Sequence, residues 1–305
     1  MNKKKKGRGS CVRGKHPIPS MKALSLEPMR RMFLTAVCAL LGVASASAQS
    51  RPQLDAGFHK MYELKFAEAR AEFSAFENDH PGDPLGEAAL AASYLYEEFD
   101  RKGVFTSKFF LDDKKLLGGV EGPVDDASSK SFLDANRRAR EMAKQRLKSN
   151  PRDPDGLLVL TMANGMEADY DALIAKRQLA SLHLIKEADG DAANLLAVVP
   201  GAQDAYVALG AANYIIGCLP AYKRAFLWFG GIHGDRLRGM NQLQQAALHG
   251  HYLQPFAKVL LALAALREKQ PELARSLFED LHREFPDNPV FTSELANAEQ
   301  AAHPH

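Results

Sequence analysis

The feature that most limits what this chain can fold into is a recurring tetrapeptide. Pro81-Gly82-Asp83-Pro84, Pro151-Arg152-Asp153-Pro154 and Pro286-Asp287-Asn288-Pro289 share one design. The first proline stops a helix and Asp or Asn caps the next. The second proline suits the first helical position, where its missing N–H costs nothing. Successive stops lie 70 and 135 residues apart, close to two and four units of about 34 residues. Pro255 lies 34 residues before Pro289. The helices ahead of two stops agree, since Ala69-x3-Phe73-x7-Pro81 and Ala274-x3-Phe278-x7-Pro286 have identical spacing. No segment of any length shows the period-two alternation of a strand.

These residues resemble the tetratricopeptide repeat family, whose helical hairpins carry A-x3-F…P in the second helix. Leu90-Ala91-x2-Tyr94 follows the family's first-helix element, and Leu209-Gly210 reproduces its centre. A small residue is needed there because two helices touch. The resemblance implies an all-α, right-handed superhelical solenoid of about five helical hairpins, closed by a C-terminal capping helix near 289–301. Helix pairs are expected at 50–62/66–78, 84–97/131–149, 154–169/171–188, 203–216/235–249 and 255–268/271–284. The repeat domain then spans 49–305, with insertions at 98–130 and 217–234 that an ordinary repeat lacks.

The net charge of +2 hides two unlike parts. Residues 1–48 hold ten of the 39 Lys and Arg and one of the 37 acids, which leaves the remainder at −7. The basic balance belongs to the leader, so net charge gives no reason to expect a nucleic-acid partner. Met29-Arg30-Arg31-Met32, the apolar run Phe33 to Ala44 and Ser45-Ala46-Ser47-Ala48 follow the secretory order, with cleavage expected after Ala48. An N-terminal membrane anchor is the alternative, although the run is short for a span, which takes about 20 residues. Residues 1–28 look like upstream translation from an early start. The expectation is an exported protein, periplasmic or secreted, with no stable membrane span after cleavage. Cys11 and Cys38 fall in the leader, so Cys218 alone can form neither an intrachain disulfide nor a cysteine-built metal site.

A search for chemistry yields little. His249-Gly250-His251, with His233 and Asp235 upstream, departs from the i, i+4 spacing of helical zinc ligands. It reads more simply as a glycine-terminated helix with a histidine at its negative end. Glu97-Glu98, Asp100 and Asp112-Asp113 suit a solvated face better than acid–base work. The stretch Gly230 to Asp235 lacks the Lys-Ser/Thr of a phosphate loop. No catalytic residue, metal ligand or cofactor site is assigned.

The family resemblance further implies that the first helices line a concave groove where peptides bind. Its groove positions fall on Phe58, Met61, Tyr62, Leu95, Tyr96, Met162, Met166, Tyr214, Ile215, Phe256 and Leu263. The groove carries one late charge, Arg267, and two early ones, Asp155 and Asp204, so it lacks the several Lys, Arg or Asn donors that a carboxylate clamp requires. An apolar groove of this length is covered by something. The insertions are suited to cover it, because one carries Phe105, Phe109 and Phe110 and the other Trp228 and Phe229. Aromatic burial worth roughly 1.5–3 kcal/mol each stands against about 1–2 kcal/mol per ordered residue. That balance admits both a permanent plug and a movable lid.

Two functions follow. One is a non-enzymatic exported scaffold that binds a protein partner or an envelope assembly through its groove or insertions. The other is a carrier whose aromatic- and Met-lined groove holds a lipid or other apolar small molecule.

Overall fold

The computed structural model describes residues 51–303. The expected secretory signal at 29–48 and extension at 1–28 lie outside the described residues. The chain from Arg51 onward forms one compact unit, and no strand occurs among the described residues.

In chain order the helices are α1 (Pro52–Tyr62), α2 (Phe66–Asp79), α3 (Pro84–Arg101), α4 (Ser107–Phe110) and α5 (Asp113–Gly118). There follow α6 (Asp126–Ser149), α7 (Pro154–Asp169), α8 (Gln178–Val198), α9 (Ala205–Cys218) and α10 (Ala221–Phe229). The last are α11 (Arg236–His249), α12 (Gln254–Arg267), α13 (Pro271–Glu284) and α14 (Pro289–Ala302). Five hairpins result: α1–α2, α3–α6, α7–α8, α9–α11 and α12–α13, with α14 packed on α13. The fold is an all-α solenoid with a capping helix.

The tetrapeptides act as their chemistry requires. Asp83, Asp153 and Asn288 are N-caps, accepting from Leu85 N at 3.0 Å, Gly156 N at 2.7 Å and Val290 N at 2.9 Å. Each satisfies one of the orphan donors of a helix start. The hairpin turns also repeat. Leu64 and Lys269 are both left-handed, at φ 62° and 58°. Around them Lys65 N donates to Lys60 O at 2.9 Å and Gln270 N to Ala265 O at 2.8 Å. These positions are 205 residues apart, or six units of about 34.

Three boundaries differ from expectation. α3 continues to Arg101, because no breaker intervenes before Gly103 at φ 65°. α6 starts at Asp126 rather than 131, because Asp125 caps it by accepting from Ala127 N and Ser128 N. The second helix of the third hairpin runs 178–198 instead of 171–188. A π-helical turn, Tyr170–Ile174, carries α7 onward, and Lys176 at φ 56° reverses the chain. Arg177 then pairs with Asp171 across the turn. No proline or glycine between Gly165 and Gly190 announces this turn, and α8 ends only near Pro200.

The solenoid closes on itself. The Tyr62 hydroxyl donates to Tyr252 O at 2.9 Å, and Asn288 Nδ2 donates to Tyr62 O at 2.8 Å. Phe58 stacks on Tyr252 at 4.8 Å. Lys65 meets Asp287 at 2.8 Å on the rim. The first hairpin therefore touches the last, and the concave side becomes the interior of a ring.

Candidate internal cavity

The first insertion occupies that interior. Phe105, Phe109 and Phe110 are buried, and their rings face first-helix aromatics. Phe105 lies 4.2 Å from Tyr96 and 6.0 Å from Phe256, and Phe110 stacks on Tyr214 at 6.1 Å. Polar contacts fix the backbone. Arg267 Nη1 donates to Phe110 O at 3.1 Å, and Ser107 N donates to Glu294 Oε2 at 3.0 Å. Val120 N donates to Leu173 O at 2.9 Å, and Lys102 reaches Pro123 O. Three elements thus hold the insertion, and the Lys102 contact ties its two ends together.

The filling is incomplete. A cavity of about 230 Å³ remains between the insertion and the first helices. Met61, Tyr62, Leu95, Tyr96, Met162, Met166, Ile215, Phe256 and Leu263 line it, together with Phe105, Phe109 and Phe110. Two groove candidates lie elsewhere in the core. Phe58 packs between Phe73 and Tyr252. Tyr214 turns its hydroxyl to Ala264 O at 3.3 Å and Glu268 Oε1 at 3.1 Å.

The second insertion does not enter the groove. Trp228 is 61% and Phe229 83% exposed, and Tyr222 and Phe226 are exposed beside them. Leu227 takes the one inward face of α10, against Ala212 and Ile216. At about 100° per residue, that choice turns Phe226, Trp228 and Phe229 outward. The interior is in any case already taken by the first insertion.

Of the acids of this wall, sequence reasoning named Asp204 and missed Asp169 and Asp189. Asp169, Asp189 and Asp204 line the cavity. Asp204 is satisfied, accepting from the backbone N–H groups of His251 at 2.7 Å, Tyr252 at 3.0 Å and Leu253 at 3.3 Å. Asp169 and Asp189 are half-buried, and neither has a hydrogen-bond partner among the described residues. Desolvation pushes Asp169 up to about 7 and Asp189 up to about 6, with Arg238 opposing the second shift. A signal was available: Asp169 follows Met162 and Met166 at helical spacing, on the face already assigned to the groove. Among the described residues, no group of three or more His, Cys, Asp or Glu is placed to hold a metal. His251 instead faces Asp55 at 2.9 Å and stacks on Tyr252.

The raised Asp169 predicts a pH effect. Between its unfolded value of about 3.9 and about 7, the folded state keeps a proton that the unfolded state releases. Its contribution to stability therefore falls as pH rises through that window. Asp169→Asn should melt above the parent protein at pH 8, with the gain shrinking toward pH 4. Thermal melts with an unchanging difference across that range would contradict this.

No family model matches the chain, and no curated protein matches it by sequence. Among solved structures it is similar to the crystal structure of a thermophilic TPR protein from Thermus thermophilus, at 15% identity and a TM-score of 0.44. The match covers 81% of this chain and 97% of that one.

Proposed function

We propose that the protein is an exported, non-catalytic carrier that holds a small apolar molecule in the central cavity. The cavity is the observation that carries this reading. Its walls are mostly apolar, and side chains that face such a space forgo the dispersion contacts of a filled core. A ligand would restore those contacts. An apolar cavity of about 150 Å³ takes benzene, so this one suits a molecule of about nine or ten non-hydrogen atoms. The order of charge, apolar run and small residues at 29–48 supports the export part of this reading.

Gly165 offers the test. It lines the cavity, and a Cβ built there meets no atom within 4 Å. Gly165→Leu should fill the space and, lying in α7, leave the melting temperature equal or higher. Naphthalene fluorescence titrations should show saturable binding to the parent protein and none to this variant. Equal binding by both would remove the reading.

A scaffold for a protein partner or envelope component is favoured by a separate observation, the exposed aromatic face of α10. This reading moves the docking surface from the groove to the outside of the ring. A photocrosslinker at position 228 that captures no protein in the native host would end it.

A further inference from the structure

We propose that the cavity selects an apolar molecule bearing a protonated amine, which its unpartnered acidic and phenolic oxygens would hold. This inference rests on the cavity being a binding site. The lining contains no lysine, arginine or histidine, so an anionic head would enter beside carboxylates with nothing to pair it. Fatty acids and phosphate esters are thereby disfavoured.

The protein's other internal acids show what these carboxylates lack. Glu98 pairs with Arg101, Asp171 with Arg177, and Glu294 accepts from Ser107 N. Asp204 takes three backbone N–H groups. Asp169 and Asp189 border the same cavity without a hydrogen bond from the described residues, and only Asp189 has a counter-charge near it, Arg238. Glu77 on α2 is likewise unpartnered, but it does not line the cavity. Elsewhere in the lining, on α3, stands an independent sign of a missing polar ligand. Tyr96 is 6% exposed and lines the cavity, and its hydroxyl has no hydrogen-bond partner. Buried polar atoms are seldom left unpaired in this way.

An ammonium group answers this set. It carries three N–H donors and no acceptor, while carboxylate and phenol oxygens accept. Its hydrogen bonds to a carboxylate are charge-assisted and stronger than neutral ones. The apolar remainder would lie against Met162, Met166 and Phe256.

The test is calorimetric titration of the full chain with n-octylamine, n-octanol and n-octanoate, which share a chain length suited to the cavity. Octylamine should bind about ten-fold or more tightly than octanol, and octanoate weakest. Asp169→Asn and Asp189→Asn should each lower octylamine affinity far more than octanol affinity, and circular dichroism matching the parent protein shows that the variants fold. Equal affinity for amine and alcohol, or a preference for octanoate, would overturn the amine inference but leave the carrier reading standing. Absence of saturable binding by all three would overturn the carrier reading itself.

Discussion

Gly239→Ala should cost about 3 kcal/mol of stability, the upper part of the range for forcing bulk into a packed core. A Cβ on Gly239 would lie 2.5 Å from Tyr214 N, 2.8 Å from Tyr214 Cα and 2.8 Å from Gly210 O. All three are backbone atoms of α9, so no rotamer change can relieve the clash. The α9–α11 hairpin would have to separate. The sign is the informative part, because Gly→Ala in a helix interior ordinarily stabilises by about 0.5–1 kcal/mol. Separating the hairpin would also shift Tyr214, whose ring supports Phe110. Urea unfolding monitored by circular dichroism would measure the loss. An unchanged or raised midpoint would show that α9 and α11 do not meet backbone to backbone.

The contrast between Gly210 and Gly239 marks how far the sequence can be read. Gly210 sits in a Leu-Gly pair at a repeat position, so its role in a close helix contact is legible. Gly239 has no such frame and gains its meaning only from the helix opposite. The same holds for larger features. Caps at Asp83, Asp153 and Asn288 are local chemistry, and they place three first helices correctly. The turn at Lys176 carries no breaker residue, so sequence pattern misplaces the eighth helix. The interior place of Phe105, Phe109 and Phe110 is legible from an apolar groove that needs a cover and an aromatic insertion able to supply one. The same argument fails for Trp228 and Phe229, because the interior holds one insertion and short α10 has one inward face. Ring closure through Tyr62, Tyr252 and Asn288 joins segments about 190 and 226 residues apart, and no local pattern encodes it. The acids at 169 and 189 are visible on the apolar faces of their helices, but their lack of partners appears only in three dimensions.

A first insertion that acts as a fixed plug gives the second large effect. Phe110 is buried against Tyr214, and its carbonyl is held by Arg267. Its loss removes both transfer energy and packing, and Phe→Ala in such a site typically costs about 3–5 kcal/mol. A movable lid would behave otherwise, since its contacts would break in local opening without unfolding the ring. The three anchors at Arg267, Glu294 and Leu173 favour the plug. Phe110→Ala should therefore lower the urea midpoint of the whole domain. In the parent protein, amides of residues 109–120 should exchange hydrogen with an opening free energy close to that of α3 and α12. Because Phe110 also lines the cavity, the variant leaves a larger void that a bound molecule can fill. Added n-octanol should then recover part of the lost stability in proportion to its occupancy. Local exchange in 109–120 well below the global value, with no shift in the urea midpoint on substitution, would convert the plug into a lid and make the cavity a gated one.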